Sequence, residues 1–157
     1  MLSFGKGVCS LLIALLAVQA FAQETFTHED SGLKFTLPAG WTYTHQGDHF
    51  EAASADETII LLFFVGNGAE VEEAIDAAVD GMSEVILDPK IVTERTEVQI
   101  NGLTQVFMEG DGLVDGQPID WDLTVVRGSR RCMAVVAMGE IENNQKLVDR
   151  IYESIRE

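Results

Sequence analysis

His45 and His49 bracket a short turn signal, Gln46-Gly47-Asp48. Two imidazoles and a carboxylate at one hairpin tip are ligand types that zinc or copper takes. His45, Asp48 and His49, with His28 or Glu51 in reach, are therefore the first candidate metal site. H-x3-H places both rings on one face only along a helix, and here it straddles a turn, so a polar hairpin tip is the plainer account. A second group, Glu109, Asp111, Asp115, Asp120 and Asp122, offers the oxygen ligands that calcium collects. The run Asp111 to Gly116 departs from the D-x-[DN]-x-[DN]-G loop, and Asp120 and Asp122 alternate with Trp121 as the solvent side of a strand does. Cys132 follows Arg130 and Arg131, whose charge lowers a thiol pKa. It also shares one strand face with Ala134 and Val136, the usual setting of a small buried hydrophobe.

Charge is the other chemical resource. Glu72, Asp76, Asp80 and Glu84 recur at i, i+4 with no lysine at that spacing to relieve them. Such like-charge pairs cost ~0.2–0.5 kcal/mol each. The stripe is either a solvated helix face or a docking face for a basic protein surface or cationic ligand. The whole chain carries −16. That sign excludes nucleic acid, whose phosphates need a basic footprint, and disfavours anionic lipid headgroups. No Gly-x-Ser-x-Gly elbow, His-Glu-x-x-His pair or phosphate-cradling glycine loop is present. No catalytic residue set is assigned.

The first 22 residues read as an address. Lys6 supplies a positive start, Val8 to Val18 an apolar run, and Ala20-Phe21-Ala22 a small-x-small cleavage site before Gln23. The run falls short of the roughly 20 apolar residues that span a bilayer. Cys9 stands at the start of that run, led by Lys6-Gly7-Val8 rather than by a full apolar stretch, and so is no lipidation cysteine. We read 1–22 as a cleaved secretory signal and 23–157 as one soluble, periplasmic or extracellular domain, kept monomeric by self-repulsion. Cys132 is the lone cysteine of that domain, which excludes an internal disulfide.

The elements that must position these residues follow from periodicity. Leu33, Phe35 and Leu37 alternate up to Pro38, and Trp41 to His45 and His49 to Ser54 pair around the Gly47 turn. Thr58 to Val65 is apolar on both faces, a central strand. After Gly66-Asn67-Gly68 a helix runs with Val71, Ile75, Ala78, Val79, Met82 and Ile86 on one face, closed by Pro89. Ile91 to Ile100 reads as one strand ending at Asn101-Gly102, a type I′ hairpin signal. Leu103 to Leu113 pairs back, Asp115 to Pro118 turns, Ile119 to Val125 alternates, and Arg131 to Met138 follows the Gly128-Ser129 turn. A terminal helix carries Ile141, Leu147, Val148, Ile151, Tyr152 and Ile155 as its buried stripe. The expectation is an α+β domain: an antiparallel sheet of about six to seven strands with two amphipathic helices packed on it.

The segment Gly32-Leu33-Lys34-Phe35-Thr36-Leu37-Pro38-Ala39-Gly40-Trp41 resembles the opening of PsbP-like domains, which share their fold with Ran-binding Mog proteins and DcrB. The element order and the closing Ile151-Tyr152-Glu153-Ser154-Ile155 are similar as well. The resemblance implies accessory or binding roles and brings no shared catalytic set. Trp41 enters as the expected core anchor of the motif. The function expected is a non-catalytic binding or accessory domain without a cofactor. The alternatives are a divalent-metal-binding protein and a hydrolase or lyase with a site of unfamiliar pattern.

Overall fold

The computed structural model describes residues 22–157; the signal-peptide reading falls on residues outside this range save for Ala22. Among the described residues the order is β1 (Glu24–Thr27), β2 (Lys34–Leu37), β3 (Thr42–Gln46), β4 (His49–Ala53), β5 (Ile59–Val65), α1 (Val71–Met82), β6 (Leu87–Ile91), β7 (Thr96–Ile100), β8 (Leu103–Val114), β9 (Gln117–Arg127), β10 (Cys132–Gly139) and α2 (Ile141–Glu153). Eight strands form one antiparallel sheet in the order β3-β4-β5-β10-β9-β8-β6, with β7 also on β8, while β1 and β2 pair separately. The α+β layout is as expected, with more strands than the periodicity gave.

Besides β1, one further strand arises where the periodicity of Ile91 to Ile100 predicts a continuous one. β6 pairs with the far half of β8 (Lys90 opposite Asp111, Ile91 opposite Gly110). β7 pairs with its near half (Thr96 opposite Phe107). Between them Val92 N–H donates to the Glu109 carbonyl at 2.9 Å, and Thr93 Oγ1 accepts from Glu109 N–H at 2.7 Å. The alternation bulges there and breaks one strand into two. Pro89 also proves not to close α1. It lies within edge strand β6, where a missing N–H is tolerated. The helix ends at Met82, and Ile86, though fully buried, belongs to the turn that follows.

The sheet separates two cores. On one face α1 packs Ala74, Ala78 and Met82 against Leu62, Phe64, Trp121, Leu123, Ala134 and Val136. On the other, α2 and the β1–β2 hairpin bury Val148, Ile151, Leu33 and Phe35 over Leu61, Phe63, Val126 and Val135. Each central strand thus gives alternate residues to opposite cores, which is why β5 and β10 are apolar throughout. Trp121, with 0 % exposure, is the fully buried tryptophan; Trp41 only packs at the margin of the second core. Trp121 lies opposite Gly110, and any β-carbon there would overlap its ring. Its Nε1–H donates to the Asp111 carbonyl at 2.9 Å.

Candidate functional site

The register of the β3–β4 hairpin separates the two histidines. His45 is opposite Phe50 and Gln46 opposite His49, so the imidazoles project from opposite faces. His45 stacks on Phe50 with centroids 4.5 Å apart, whereas His49 lies against Phe64 at 5.3 Å. The paired-imidazole site expected at this tip does not assemble. Asp48 and His49 instead meet Asp80 and Glu84 across a cleft of about 290 Å³ beside α1. That cleft joins one half of the hairpin group to one half of the helix stripe and leaves out His45, Glu72 and Asp76. Among the described residues no three His, Cys, Asp or Glu side chains converge closely enough to hold a metal ion.

The stripe is exposed along its length, but its first member is paired. Arg95, freed by the break between β6 and β7, reaches α1 and donates to both Glu72 carboxylate oxygens at 2.7 and 2.9 Å. This fork lowers the Glu72 carboxyl below its ordinary pKa. Relief comes from a residue far along the chain, which i+4 spacing does not reveal.

The acids of β8 and β9 assemble differently from a calcium loop. Glu109 stands opposite Asp122 and Asp111 opposite Asp120. Asp115 is in the hairpin tip, its φ of +50° in the left-handed region. Asp120 and Asp122 share a strand face with Thr124 and Val126, the face covered by α2. There α2, β7, β8 and β9 enclose a groove of about 280 Å³ walled by Glu94, Glu109, Asp122 and Asp149, with Phe107 and Tyr152 as its aromatic sides. An adjoining cleft of about 320 Å³ shares Glu109, Asp122 and Gln145 and adds Asp120 and Glu142. No lysine or arginine lines either.

Electrostatics follow from this crowding. Burial raises the Asp122 carboxyl above its ordinary pKa, and the charges of Glu109, Asp149 and Asp120 raise it further. Gln145 Nε2 works against them, donating to Asp122 Oδ2 at 3.3 Å and to Asp149 Oδ1 at 2.9 Å. Burial, then the Asp122 charge, drives the Tyr152 phenol well above its ordinary range. Tyr152 is 3 % exposed, and its hydroxyl is sealed from solvent beside that of fully buried Thr124, toward which it is directed. Periodicity alone puts Tyr152 in the core stripe of the terminal helix and Asp122 on a solvent face. Their meeting depends on how α2 crosses the ribbon.

The remaining nucleophile and base types serve the fold. Burial raises the Cys132 thiol, the nearest cation is Arg127 rather than Arg130 or Arg131, and Sγ–H donates to the Ala69 carbonyl at 3.1 Å. Ser31 Oγ meets His28 Nδ1 at 2.9 Å, a nucleophile-and-base contact that residue spacing did not single out. Both are buried, and the same Oγ accepts Leu33 N–H at 3.2 Å, so the pair fastens the turn into β2. Burial depresses His28 to about 4 against a weaker upward pull from Asp30.

No family model and no curated protein matches the sequence. The fold is PsbP-like. The solution structure of cyanobacterial PsbP (CyanoP) from Synechocystis sp. PCC 6803 superposes with a TM-score of 0.58, covering 89 % of this chain and 95 % of its own at 14 % identity. A Bacteroides thetaiotaomicron structure gives 0.56 at 13 % identity over 85 % of this chain and 47 % of its own. PA94 of Pseudomonas aeruginosa, a protein of unknown function, gives 0.51 at 8 % identity over 86 % and 96 %. At such identities the likeness is one of fold.

Proposed function

We propose that this chain is an exported, non-catalytic binding or accessory domain that recognises a basic protein surface. One observation carries the reading: the groove beside α2 and its adjoining cleft gather Glu94, Glu109, Asp120, Asp122, Glu142 and Asp149 without a lysine or arginine among the lining residues. Like charges placed opposite one another across strands are destabilising, and a cationic partner relieves that repulsion. The Lys6, Val8 to Val18 and Ala20-Phe21-Ala22 leader supports export, and among the described residues no helix is long and apolar enough to cross a membrane. The burial of Cys132, His28 and Ser31 supports binding over catalysis.

The test is photo-crosslinking in the cell with a reactive residue at Glu142, followed by binding of the captured protein in vitro. A lysine- or arginine-rich partner whose affinity falls at least about tenfold as salt carries the Debye length from ~10 Å to ~3 Å is the expected result. Capture of nothing, or of a partner indifferent to salt, overturns the reading.

A further inference from the structure

We infer that the uncovered end of the sheet, where β6, β8 and β9 run past the start of α2, is a docking face. Its guest is a short segment of a partner protein in which aliphatic side chains alternate with lysine or arginine. The inference rests on the reading of the chain as a binder of basic partners and names the segment and the place. It starts from apolar exposure. Among the described residues the exposed large hydrophobics are Val85, Leu87, Ile91 and Val92, all between positions 85 and 92. Scattered singly such side chains are ordinary, but gathered in one place they mark an interaction site. Leu87 and Val92, at 67 % and 58 %, are the barest of the four. Leu87 is opposite Leu113, itself opposite Pro118, and so shares the face of Asp111 and Asp120. With them it lines a cleft of about 400 Å³. Val92 lines the cleft at the start of α2, and Asp120 belongs to both, which makes the two one strip. Ile91, opposite Gly110, lies instead on the Trp121 face, where α1 packs.

Charge decides what covers the strip. Leu87, Leu113 and Pro118 stand at one end and Val92 at the other, with Asp111 and Asp120 paired across strands between them. Like charges directly opposite one another destabilise an antiparallel pair. Lys90, the one cation among the lining residues, is opposite Asp111, but its Nζ is held by Asp88 Oδ2 at 2.7 Å. A guest with an aliphatic side chain at each end and a cation between them meets both needs. A second copy of this chain would bring −16 against −16, and self-repulsion disfavours it. Anionic headgroups are disfavoured on the same ground. The outer edge of β6 is a poor template for strand addition. Pro89 lacks an N–H there, and Asp88 is left-handed with φ of +54°. The guest therefore lies across the face. The strip follows β8 from Leu113 to Glu109, about 13 Å, the reach of an extended segment of roughly five residues.

The experiment is an amide-shift titration of the ¹⁵N-labelled full chain with a capped peptide of alternating leucine and lysine. Two control peptides replace every leucine by serine or every lysine by glutamine, and phosphatidylcholine vesicles are a third. Saturable shifts at Val92, Asp111 and Asp120 with the leucine–lysine peptide, and affinity at least about tenfold weaker for either control peptide, are expected. Leu87→Ser combined with Val92→Ser weakens that peptide by about tenfold, since burial of one aliphatic side chain of this size is worth at least that factor. Both side chains are exposed, so the fold is kept. Ile91→Ser, on the other face, leaves the affinity unchanged. Equal binding of a control peptide, preference for vesicles, self-association that the double substitution abolishes, or indifference to that substitution each overturns the face. A basic partner captured at Glu142 that ignores the Leu87 and Val92 substitutions would overturn this face alone. Peptide binding that needs Leu87 and Val92, with no basic partner captured in the cell, would overturn the proposed function alone.

Discussion

At the scale of single residues, burial decides chemistry more firmly than charge. His28 accepts the Ser31 backbone N–H on Nδ1 at 3.3 Å and lies against Phe50 and Phe63, so the fold holds it neutral. Its pKa is about 4 folded against 6.5 in an ordinary peptide. Between those values the unfolded chain takes a proton that the folded ring refuses. Stability is therefore full above pH 6.5, declines as pH falls towards 4, and loses no more from this group below that. The loss amounts to ~3 kcal/mol. His28→Gln removes this slope while lowering stability at neutral pH, which urea midpoints for both proteins across that range would show. Tyr152→Phe deletes a buried hydroxyl that makes no well-formed hydrogen bond, so thermal unfolding should stay put or move up slightly. Neither role was readable from spacing. Histidine identity says nothing of burial, and Tyr152 looked like any member of a helical core stripe.

Elements were legible where one periodicity ran unopposed. Both helices, the apolar β5 and the Asn101-Gly102 turn follow the pattern, the turn residues with φ of +53° and +76°. The pattern misled at Ile91 to Ile100, where pairing of Val92 and Thr93 with Glu109 bulges the strand, and at Pro89, an edge-strand residue rather than a helix stop. Asn101 does more than turn the chain. Its Nδ2 donates to the carbonyls of Glu153 at 2.7 Å and Ile155 at 2.9 Å, capping the end of α2. Asn101→Gly keeps the left-handed turn and removes both bonds, so it should destabilise by about 1–3 kcal/mol in a denaturant titration. Gly110→Ala should cost a similar ~1–3 kcal/mol by overpacking Trp121, with a change in tryptophan emission to mark the site.

For the whole molecule, the layering was legible because strands with two apolar faces require cover on both sides. The sheet meets that requirement with α1 on one face and α2 with the β1–β2 hairpin on the other. The candidate groove was not legible, since it joins β7, β8, β9 and α2 through register and crossing alone. The −16 charge acts over the same scale. Self-repulsion opposes compactness, so raising sodium chloride from low to physiological strength should raise the melting temperature. A fall would mean that specific ion pairs such as Arg95–Glu72 outweigh the general repulsion.

The fastening of α2 has a consequence for selectivity. Glu140 N–H bonds to the Thr58 carbonyl at 2.9 Å at one end, and Ser154 Oγ accepts Thr36 N–H at 2.8 Å at the other. Gln105 Nε2 adds a bond to the Tyr152 carbonyl at 3.2 Å between them. The helix wall of the groove is thus tied before anything enters, and little chain entropy is lost on occupation. A slot of fixed width acts as a gauge. A basic side chain that fits it meets carboxylates already in place, whereas a bulkier one finds no slack in α2 to make room.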